Sequence, residues 1–212
     1  MFTFLVRMAL RWHNLSYKLS STLAIKAEGG IHPKHRLMNY HQFFLDHITQ
    51  SDRVLDIGCG NGVLAYDLAD VAAYVMGIDL NEKNRHAWEN RFARKNLEYH
   101  IADATIFSPE EHFDVVVLSN VLEHIERRVE FLQRIKHLAP LFLIRVPMID
   151  RDWITLYKKE IGIEYRLDMT HFTEYTLQSF TDEIQEAGFT MKSSSIQFGE
   201  IWAVVYSHPS SL

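Results

Sequence analysis

From residue 53 onward, short apolar runs alternate with segments in which apolar residues recur at helical spacing. The runs have the length of buried strands, and each segment between them presents one apolar face, as a helix packed on a sheet does. This alternation predicts an α/β fold with a doubly wound, parallel sheet. The predicted strands span residues 53–58, 73–80, 97–103, 113–119 and 140–147, and the predicted helices span residues 62–70, 81–95 and 121–138.

The pattern changes after the fifth predicted strand. Residues 148–172 form a connection that is unusually long for a strand-to-helix link and dense in charged and aromatic side chains. Long loops in compact domains are usually functional when they are not disordered, so we predict that this segment is a substrate lid. A helix is then predicted over residues 173–187, followed by two strand-like runs at 191–199 and 200–208 that form a C-terminal antiparallel hairpin.

The N-terminal segment is predicted to form an amphipathic helix. It contains no acidic residue before Glu28, and Arg7 and Arg11 interrupt its apolar run, so we expect it to be retained rather than cleaved as a signal peptide. Such a helix either caps the core of the domain, which is the preferred interpretation, or lies on an anionic membrane surface through residues 1–27. The predicted apolar stripe comprises Leu5, Met8, Ala9, Trp12, Leu15, Leu19 and Leu23, and the polar face comprises Arg7, Arg11, Asn14 and Lys18.

Composition narrows the class of protein. The chain has 212 residues, of which 47% are hydrophobic, enough for one α/β domain with a substantial core. A net charge of −5 argues against nucleic acid as a partner. The single cysteine, Cys59, excludes an internal disulfide and fits the cytoplasm, and it has no partner at metal-ligand spacing, so no metal site is predicted.

A glycine-rich turn follows the first predicted strand, in the sequence LDIGCGNG, which contains Gly58, Gly60 and Gly62. In a parallel sheet this turn lies at the carboxyl ends of the strands, where ligands bind. The dinucleotide fingerprint G-x-G-x-x-G would need a third glycine where this chain has Val63. Asp79, about 20 residues further on, is placed to accept hydrogen bonds from ribose hydroxyls, which fits either NAD or an adenosyl ligand.

Four motifs in order resemble those of the class I S-adenosylmethionine-dependent methyltransferases: LDIGCGNG, GIDL, ADAT and FDVVVLSNVLEHI, within residues 50–145. The resemblance implies a Rossmann-like, seven-stranded, mostly parallel sheet with helices on both faces, and S-adenosylmethionine as the cofactor. It also implies which residues contact that cofactor: Asp56, Gly58, Cys59, Gly60, Asn61 and Gly62 at the methionine portion, with Asn120 nearby, Asp79 and Leu80 at the ribose, and Asp103 and Ala104 at the adenine.

A hydroxyl acceptor would benefit from a base that takes its proton. The candidates are His124, which follows the fourth strand, and His171 with Asp168 in the lid. Glu123 is interpreted as structural, because Asn120 and Glu123 have the spacing of a capping box. The lid segment DMTHFTEYTL also resembles methyltransferases that modify cell-surface glycans and lipid-linked sugars, which singles out Asp168 and His171.

The sequence therefore predicts a methyltransferase that acts on a hydroxyl of a glycan or lipid-linked sugar, in the cytoplasm or at the inner membrane surface. A small metabolite or a quinone is the alternative acceptor. A non-catalytic domain that binds an adenosyl ligand and an NAD-linked oxidoreductase are the alternatives of other classes. The predicted organisation is one domain over residues 1–212, with an N-terminal helical cap (1–50), a cofactor-binding core (51–147), the lid (148–172), and a closing helix and hairpin (173–212).

Overall fold

A computed structural model describes residues 2–207; Met1 and residues 208–212, which include the last residue of the predicted hairpin, lie outside it. Seven strands form one sheet in the order β3-β2-β1-β4-β5-β7-β6, in which β7 runs antiparallel to β5 and β6. The predicted doubly wound sheet with a C-terminal antiparallel hairpin is confirmed. The strands are β1 Arg53–Ile57, β2 Tyr74–Asp79, β3 Leu97–Ile101, β4 Val115–Ser119, β5 Leu141–Pro147, β6 Thr190–Gln197 and β7 Glu200–Tyr206.

Helices cover both faces of the sheet, because neighbouring strand residues point to opposite sides and both sides are apolar. In β4, Val116 and Leu118 join the core on one face, while Val115 and Val117 join the core on the other. The helices are α1 Phe2–Ala27, α2 Lys34–Met38, α3 Tyr40–Leu45, α4 Val63–Leu68, α5 Arg85–Asn90, α6 Arg128–Ile135, α7 Trp153–Glu160 and α8 Leu177–Glu186.

Three predicted helices are markedly shorter or more broken than the periodicity suggests. The segment 81–95 is a 3₁₀ turn at Glu82–Asn84 followed by α5, which ends at Asn90. The segment 121–138 is a 3₁₀ turn at Leu122–His124, an extended residue at Ile125, and then α6 with a final 3₁₀ turn. The predicted capping box is wrong: Asn120 has a left-handed backbone (φ 59°), and the residue before the turn is Val121. The helix after the lid begins only at Leu177, because Thr176 caps it in a capping box with Ser179.

The lid, residues 148–172, contains one helix, α7, and is tied to the sheet at both ends. Met148 bridges to Tyr175, and the Phe172 backbone N–H donates to the Glu123 carbonyl (2.7 Å). The lid is therefore held over the carboxyl ends of β4 and β5. Both of its ends thus contact segments that directly follow strands or the turns after them.

The N-terminal helix packs on the lid through its polar face. Arg7 donates to the Ile161 carbonyl (2.6 Å) and Asn14 to the Glu164 carbonyl (2.7 Å). The whole apolar stripe is exposed, with Trp12 66% and Leu15 58% accessible. The expectation that this stripe packs on the core is thus wrong, because the free backbone carbonyls of the lid bind the polar face. Within residues 2–207, no helix has the length and apolar content needed to cross a bilayer.

Candidate active site

The glycine turn is held against the second strand. The backbone N–H groups of Gly58 and Cys59 both donate to the Ile78 carbonyl (2.8 and 3.0 Å). Gly58, Gly60 and Gly62 all have positive φ (71°, 55° and 88°), a conformation that side chains disfavour. A Cβ on Gly60 would meet nothing within 4 Å, so this glycine borders open space at the carboxyl ends of the strands.

Asp79 fixes the shape of the turn from the end of β2. Its carboxylate accepts hydrogen bonds from the backbone N–H groups of Gly60 (2.9 Å) and Asn81 (2.8 Å) and from the Asn84 side chain (3.1 Å). One carboxylate therefore joins the glycine turn to the turn after β2. Both carboxylate oxygens of Asp79 therefore take part in fixing the two turns at the strand ends.

Asp56 lies below the turn, in β1, and is 1% exposed. Burial, together with the charge of Asp79, raises the pKa of Asp56 to about 8. Its Oδ2 atom has no hydrogen-bond partner among the described residues. A buried carboxylate oxygen of this kind fits a ligand that carries a positive charge, such as the ammonium group of a methionine.

Two aromatic residues that the sequence analysis does not identify support the turn. Trp88 and Tyr99 stack at 4.8 Å with an interplanar angle of 3°, and Trp88 donates to the Gly60 carbonyl (2.9 Å) while Tyr99 donates to the Gly62 carbonyl (3.2 Å). Cys59 is buried, and burial together with the charge of Asp56 raises its thiol pKa. Cys59 is therefore an inert packing residue in this turn.

The residues predicted at the adenine, Asp103 and Ala104, lie directly after β3. Asp103 accepts from the Thr105 side chain (2.7 Å) and backbone N–H (2.8 Å), and these hydrogen bonds lower its pKa. The Ala104 carbonyl accepts from Arg134 (2.9 Å). Leu80 is largely exposed beside them, so this end of the crevice offers an apolar surface with a charged edge.

The other end of the crevice is built around Asn120, directly after β4. Its side-chain oxygen accepts from Arg145 Nε (2.6 Å), and its amide donates to Glu123 Oε1 (2.8 Å). Arg145 is 1% exposed and also contacts Glu200 Oε2 (3.0 Å) and the ring of Tyr40 (3.6 Å). The sequence analysis did not identify Arg145 as a site residue, because a single charged residue within an apolar strand pattern does not indicate a functional role.

Glu123 and His171 are buried at this end, and His124 lies at its exposed rim. One ligand-type atom from each of these three residues lies within 4.8 Å of the other two, and the two imidazole rings are 4.6 Å apart. Burial raises the pKa of Glu123 to about 7, and burial and the charge of His171 lower the pKa of His124. We call this group the Glu123–His124–His171 cluster. The structure thus brings together the two predicted histidines and a glutamate that was interpreted as structural.

The third predicted catalytic residue, Asp168, reaches the cluster only indirectly. Its carboxylate accepts from the Thr170 backbone N–H and hydroxyl (both 2.8 Å), and that hydroxyl is 2.9 Å from His124 Nδ1. The carboxylate that contacts His171 is instead Glu174, whose Oε1 lies 3.0 Å from His171 Nδ1. Its spacing, three residues after His171, is the signal that could have identified Glu174.

The N-terminal helices α2 and α3 close the same end of the crevice. Burial, with His41 next to it, lowers the pKa of His35 to about 3, so His35 is neutral near pH 7. Arg36 is exposed and pairs with Glu28 (2.8 Å). Lys34 is the cation that faces the site, where burial and the charge of Arg145 lower its pKa.

A separate cavity of about 430 Å³ lies between α1 and the outer side of the lid. Arg11 and Lys18 of α1 and Leu167 and Met169 of the lid contribute to its lining. None of the site residues predicted from the sequence lines this cavity, so the crevice at the strand ends is the better candidate for chemistry.

In residues 2–207, three buried side-chain polar atoms have no hydrogen-bond partner: Asp56 Oδ2, Glu123 Oε2 and Arg145 Nη1. They belong to β1, to the turn after β4 and to β5, which are neighbours in the sheet. Native structures rarely leave such atoms without partners. Together with the open face of Gly60, they fit a charged, polar ligand at the carboxyl ends of these strands.

Comparison with known proteins agrees with this geometry. Residues 31–194 match the family described as "Methyltransferase domain". A "Ubiquinone biosynthesis O-methyltransferase" of Bradyrhizobium diazoefficiens is 34% identical over 118 residues, 54% of this chain and 47% of that protein. The equivalent protein of Caulobacter sp. K31 is 36% identical over 120 residues, 54% of this chain and 48% of that protein. The chain thus spans about half the length of these curated relatives.

Solved structures share the fold at low sequence identity. An S-adenosylmethionine-dependent methyltransferase from Mesorhizobium loti has a TM-score of 0.59 and 17% identity, over 74% of this chain and 92% of that chain. The N-methyltransferase NodS from Bradyrhizobium japonicum, in complex with S-adenosyl-L-homocysteine, has a TM-score of 0.59 and 17% identity, over 82% of this chain and 86% of that chain. The NAD-linked oxidoreductase alternative is therefore wrong, and the chain belongs to the class I S-adenosylmethionine-dependent methyltransferases.

Proposed function

We propose that this protein transfers a methyl group from S-adenosylmethionine to a hydroxyl group of a small aromatic acceptor of the quinol type. The observation that carries the proposal is the Glu123–His124–His171 cluster, which lies beside Asn120 at the methionine end of the crevice. The name of the relatives, "Ubiquinone biosynthesis O-methyltransferase", supports both an oxygen acceptor and its quinone class.

The proposal assigns the two ends of the crevice to donor and acceptor. Asp56 and the turn Gly58–Gly62 would hold the methionine portion, Asp79 and Leu80 the ribose, and Asp103 and Ala104 the adenine. Bound S-adenosylmethionine supplies a methyl group on a positively charged sulfur, which leaves as a neutral thioether. The protein needs to align the acceptor oxygen behind that methyl carbon, within roughly 3 Å, in a site from which water is excluded.

The cluster would serve the acceptor oxygen. That oxygen bonds to the methyl carbon while the carbon–sulfur bond breaks, and its proton must leave. Glu123, His124 and His171 are the side chains at this end that can promote the loss of this proton. The Glu174 carboxylate accepts from His171 Nδ1 and so fixes the orientation of the ring. This network argues against a non-catalytic domain, because a binding module would have no need of it.

The lid supports an aromatic acceptor. Phe172 directly follows His171 and is largely exposed. Its ring offers the apolar surface that a flat aromatic acceptor requires. A sugar hydroxyl is the competing acceptor, suggested by the resemblance of DMTHFTEYTL to glycan-modifying enzymes.

A methyl-transfer assay with labelled S-adenosylmethionine tests the proposal. We expect transfer to a ring that carries adjacent hydroxyl groups, with no transfer to extracts of glycans or lipid-linked sugars. Asp103→Asn, at the adenine end, serves as a variant that changes the affinity for the donor without changing the choice of acceptor. Labelling of the sugar extract alone would contradict the quinol proposal and restore the sugar alternative.

We propose further that the exposed apolar stripe of α1 binds an anionic membrane surface. The stripe lies opposite the face that packs on the lid, and the charged residues of α1, Arg7, Arg11, Lys18 and Lys26, are all basic. Two copies that met through this helix would bring these like charges together, whereas anionic lipid would balance them.

Replacing Trp12 and Leu15 with glutamate is expected to reduce binding to anionic vesicles at least tenfold. The two substitutions remove apolar side chains that each contribute about 1.5–3 kcal/mol on burial, and they add two negative charges. Cosedimentation with phosphatidylglycerol vesicles measures the effect, and Leu37→Glu, at an exposed leucine outside α1, is the matched control. Equal vesicle binding by the double variant and the unaltered protein would refute the membrane proposal.

A further inference from the structure

The Glu123–His124–His171 cluster has the ligand types and the arrangement of a metal site. It offers two imidazole nitrogens and one carboxylate oxygen, all within 4.8 Å of one another. Three such ligands on one side, with open positions on the other, are a common arrangement for catalytic zinc and for other first-row divalent ions. The ligands come from two segments that are distant along the chain, so cysteine and histidine spacing in the sequence gives no sign of them.

Hydrogen bonds orient both imidazoles for this role. Nδ1 of His171 donates to the Glu174 carboxylate (3.0 Å), and Nδ1 of His124 contacts the Thr170 hydroxyl (2.9 Å), which itself donates to Asp168 (2.8 Å). In residues 2–207, no hydrogen bond involves Nε2 of either ring. Metal-binding histidines almost always donate their other N–H to a carboxylate, a carbonyl or water, which leaves the remaining nitrogen lone pair for the ion.

Glu123 provides an independent observation. Its side chain is fully buried, and Oε1 accepts from Asn120 (2.8 Å), while Oε2 has no partner in the described part of the chain. Leaving a buried carboxylate oxygen without a partner is costly unless a cation or a donor reaches it. The charges of His171, Arg145 and Lys34 act on Glu123, but none of these side chains donates a hydrogen bond to Oε2 in the described part of the chain.

Unlike Glu123, Glu174 has partners among the described residues for both of its carboxylate oxygens. Its Oε1 accepts from His171 and from the Leu167 backbone N–H (2.6 Å), and its Oε2 pairs with Arg151. All of its hydrogen bonds hold the lid and the ring of His171 in place. Glu174 is therefore a positioning residue, and Glu123 is the carboxylate that remains available to an ion.

We propose that Glu123, His124 and His171 bind a divalent first-row metal ion, with Zn²⁺ or Mn²⁺ as the expected occupant, and that the acceptor hydroxyl reaches the open side of this ion. A divalent ion stabilises the deprotonated form of a hydroxyl oxygen, so the proton can pass to bulk water and no side chain needs to keep it. An acceptor with two adjacent hydroxyl groups would fit best, because both oxygens can approach one ion. The role of the metal ion in methyl transfer rests on the proposed function. The existence of the metal site does not.

Metal binding to the untagged, chelator-treated protein tests the inference. We expect calorimetry to show one Zn²⁺ or Mn²⁺ per chain, and Co²⁺ to give visible absorption bands typical of nitrogen and oxygen ligands. His171→Gln should weaken metal binding at least 100-fold, and Glu174→Gln by roughly 10- to 100-fold, as expected for an outer hydrogen-bond partner. His137→Gln is the matched control, since His137 is an exposed residue in the 3₁₀ turn before β5, at the opposite edge of the sheet. Circular dichroism of each variant verifies that it is folded.

Methyl-transfer assays with and without a chelator separate the two hypotheses. We expect chelation to abolish transfer while S-adenosylmethionine still binds, and added metal to restore it. If the protein binds no metal and methylates a quinol in the presence of chelator, the metal inference is overturned and the proposed function stands. If it binds metal through these residues but methylates no aromatic hydroxyl, the metal site is supported and the proposed function fails.

Discussion

Asp79→Ala is expected to weaken S-adenosylmethionine binding by about 100-fold or more, because two hydrogen bonds to a charged group are each worth about 1.5–3 kcal/mol. The carboxylate would accept these bonds from the two ribose hydroxyls. The substitution also releases the Gly60 and Asn81 backbone N–H groups, which Asp79 now holds at 2.9 and 2.8 Å. The loss thus combines a missing ligand contact with a less ordered glycine turn.

Isothermal titration calorimetry with S-adenosylmethionine measures this effect, and two variants separate its causes. Asp79→Asn keeps one oxygen that can accept from Gly60, so it should preserve the turn and lose less affinity than Asp79→Ala. Asp103→Ala removes a carboxylate that is more accessible and already satisfied by Thr105, and we expect a loss below tenfold. Affinity within threefold of the unaltered protein for Asp79→Ala would refute the assignment of this residue to the ribose.

The sequence is most informative about the donor end, because that end is built from consecutive residues. Gly58, Gly60 and Gly62 have to adopt positive φ within one short turn, and Asp79 ends the next strand, so spacing alone locates them. The parallel, doubly wound class of the sheet follows in the same way from the alternation of strand-like and helix-like apolar patterns. Local pattern and tertiary position agree here, as in most regular parts of a fold.

The acceptor end could not be predicted to the same extent, because its residues meet only after folding. Glu123 was interpreted as a cap from its spacing to Asn120, yet the left-handed backbone at Asn120 turns the two side chains toward each other. Arg145 lies inside an apolar strand and meets Glu200 only because β7 inserts antiparallel beside β5. The apolar stripe of α1 shows a related limit of the sequence. Periodicity identifies an apolar face but does not identify what that face contacts.

Arg145→Met is expected to lower the free energy of unfolding by about 3–5 kcal/mol, the usual cost of breaking a buried ion pair by removing one partner. Glu200 has a side chain that is only 9% exposed, and among residues 2–207 its one other side-chain hydrogen bond comes from Trp202 Nε1 (3.2 Å). Without Arg145, its charge stays buried with Lys34 as the nearby cation. For a domain of this size, the loss corresponds to a decrease in Tm of roughly 6–20 °C, measurable by calorimetry or circular dichroism.

Two comparisons decide whether the unpaired charge causes this loss. Arg145→Met combined with Glu200→Gln removes both charges, so the double variant should recover part of the stability lost by Arg145→Met. Arg36→Met breaks an exposed pair with Glu28 and should cost less than about 1 kcal/mol. If Arg145→Met lost no more stability than Arg36→Met, the predicted cost of an unpaired Glu200 would be wrong. Lys34 would then neutralise Glu200 without help from Arg145. Since Arg145 also holds Asn120 at 2.6 Å beside the cluster, the destabilised variant should lose methyl transfer even at temperatures where it remains folded.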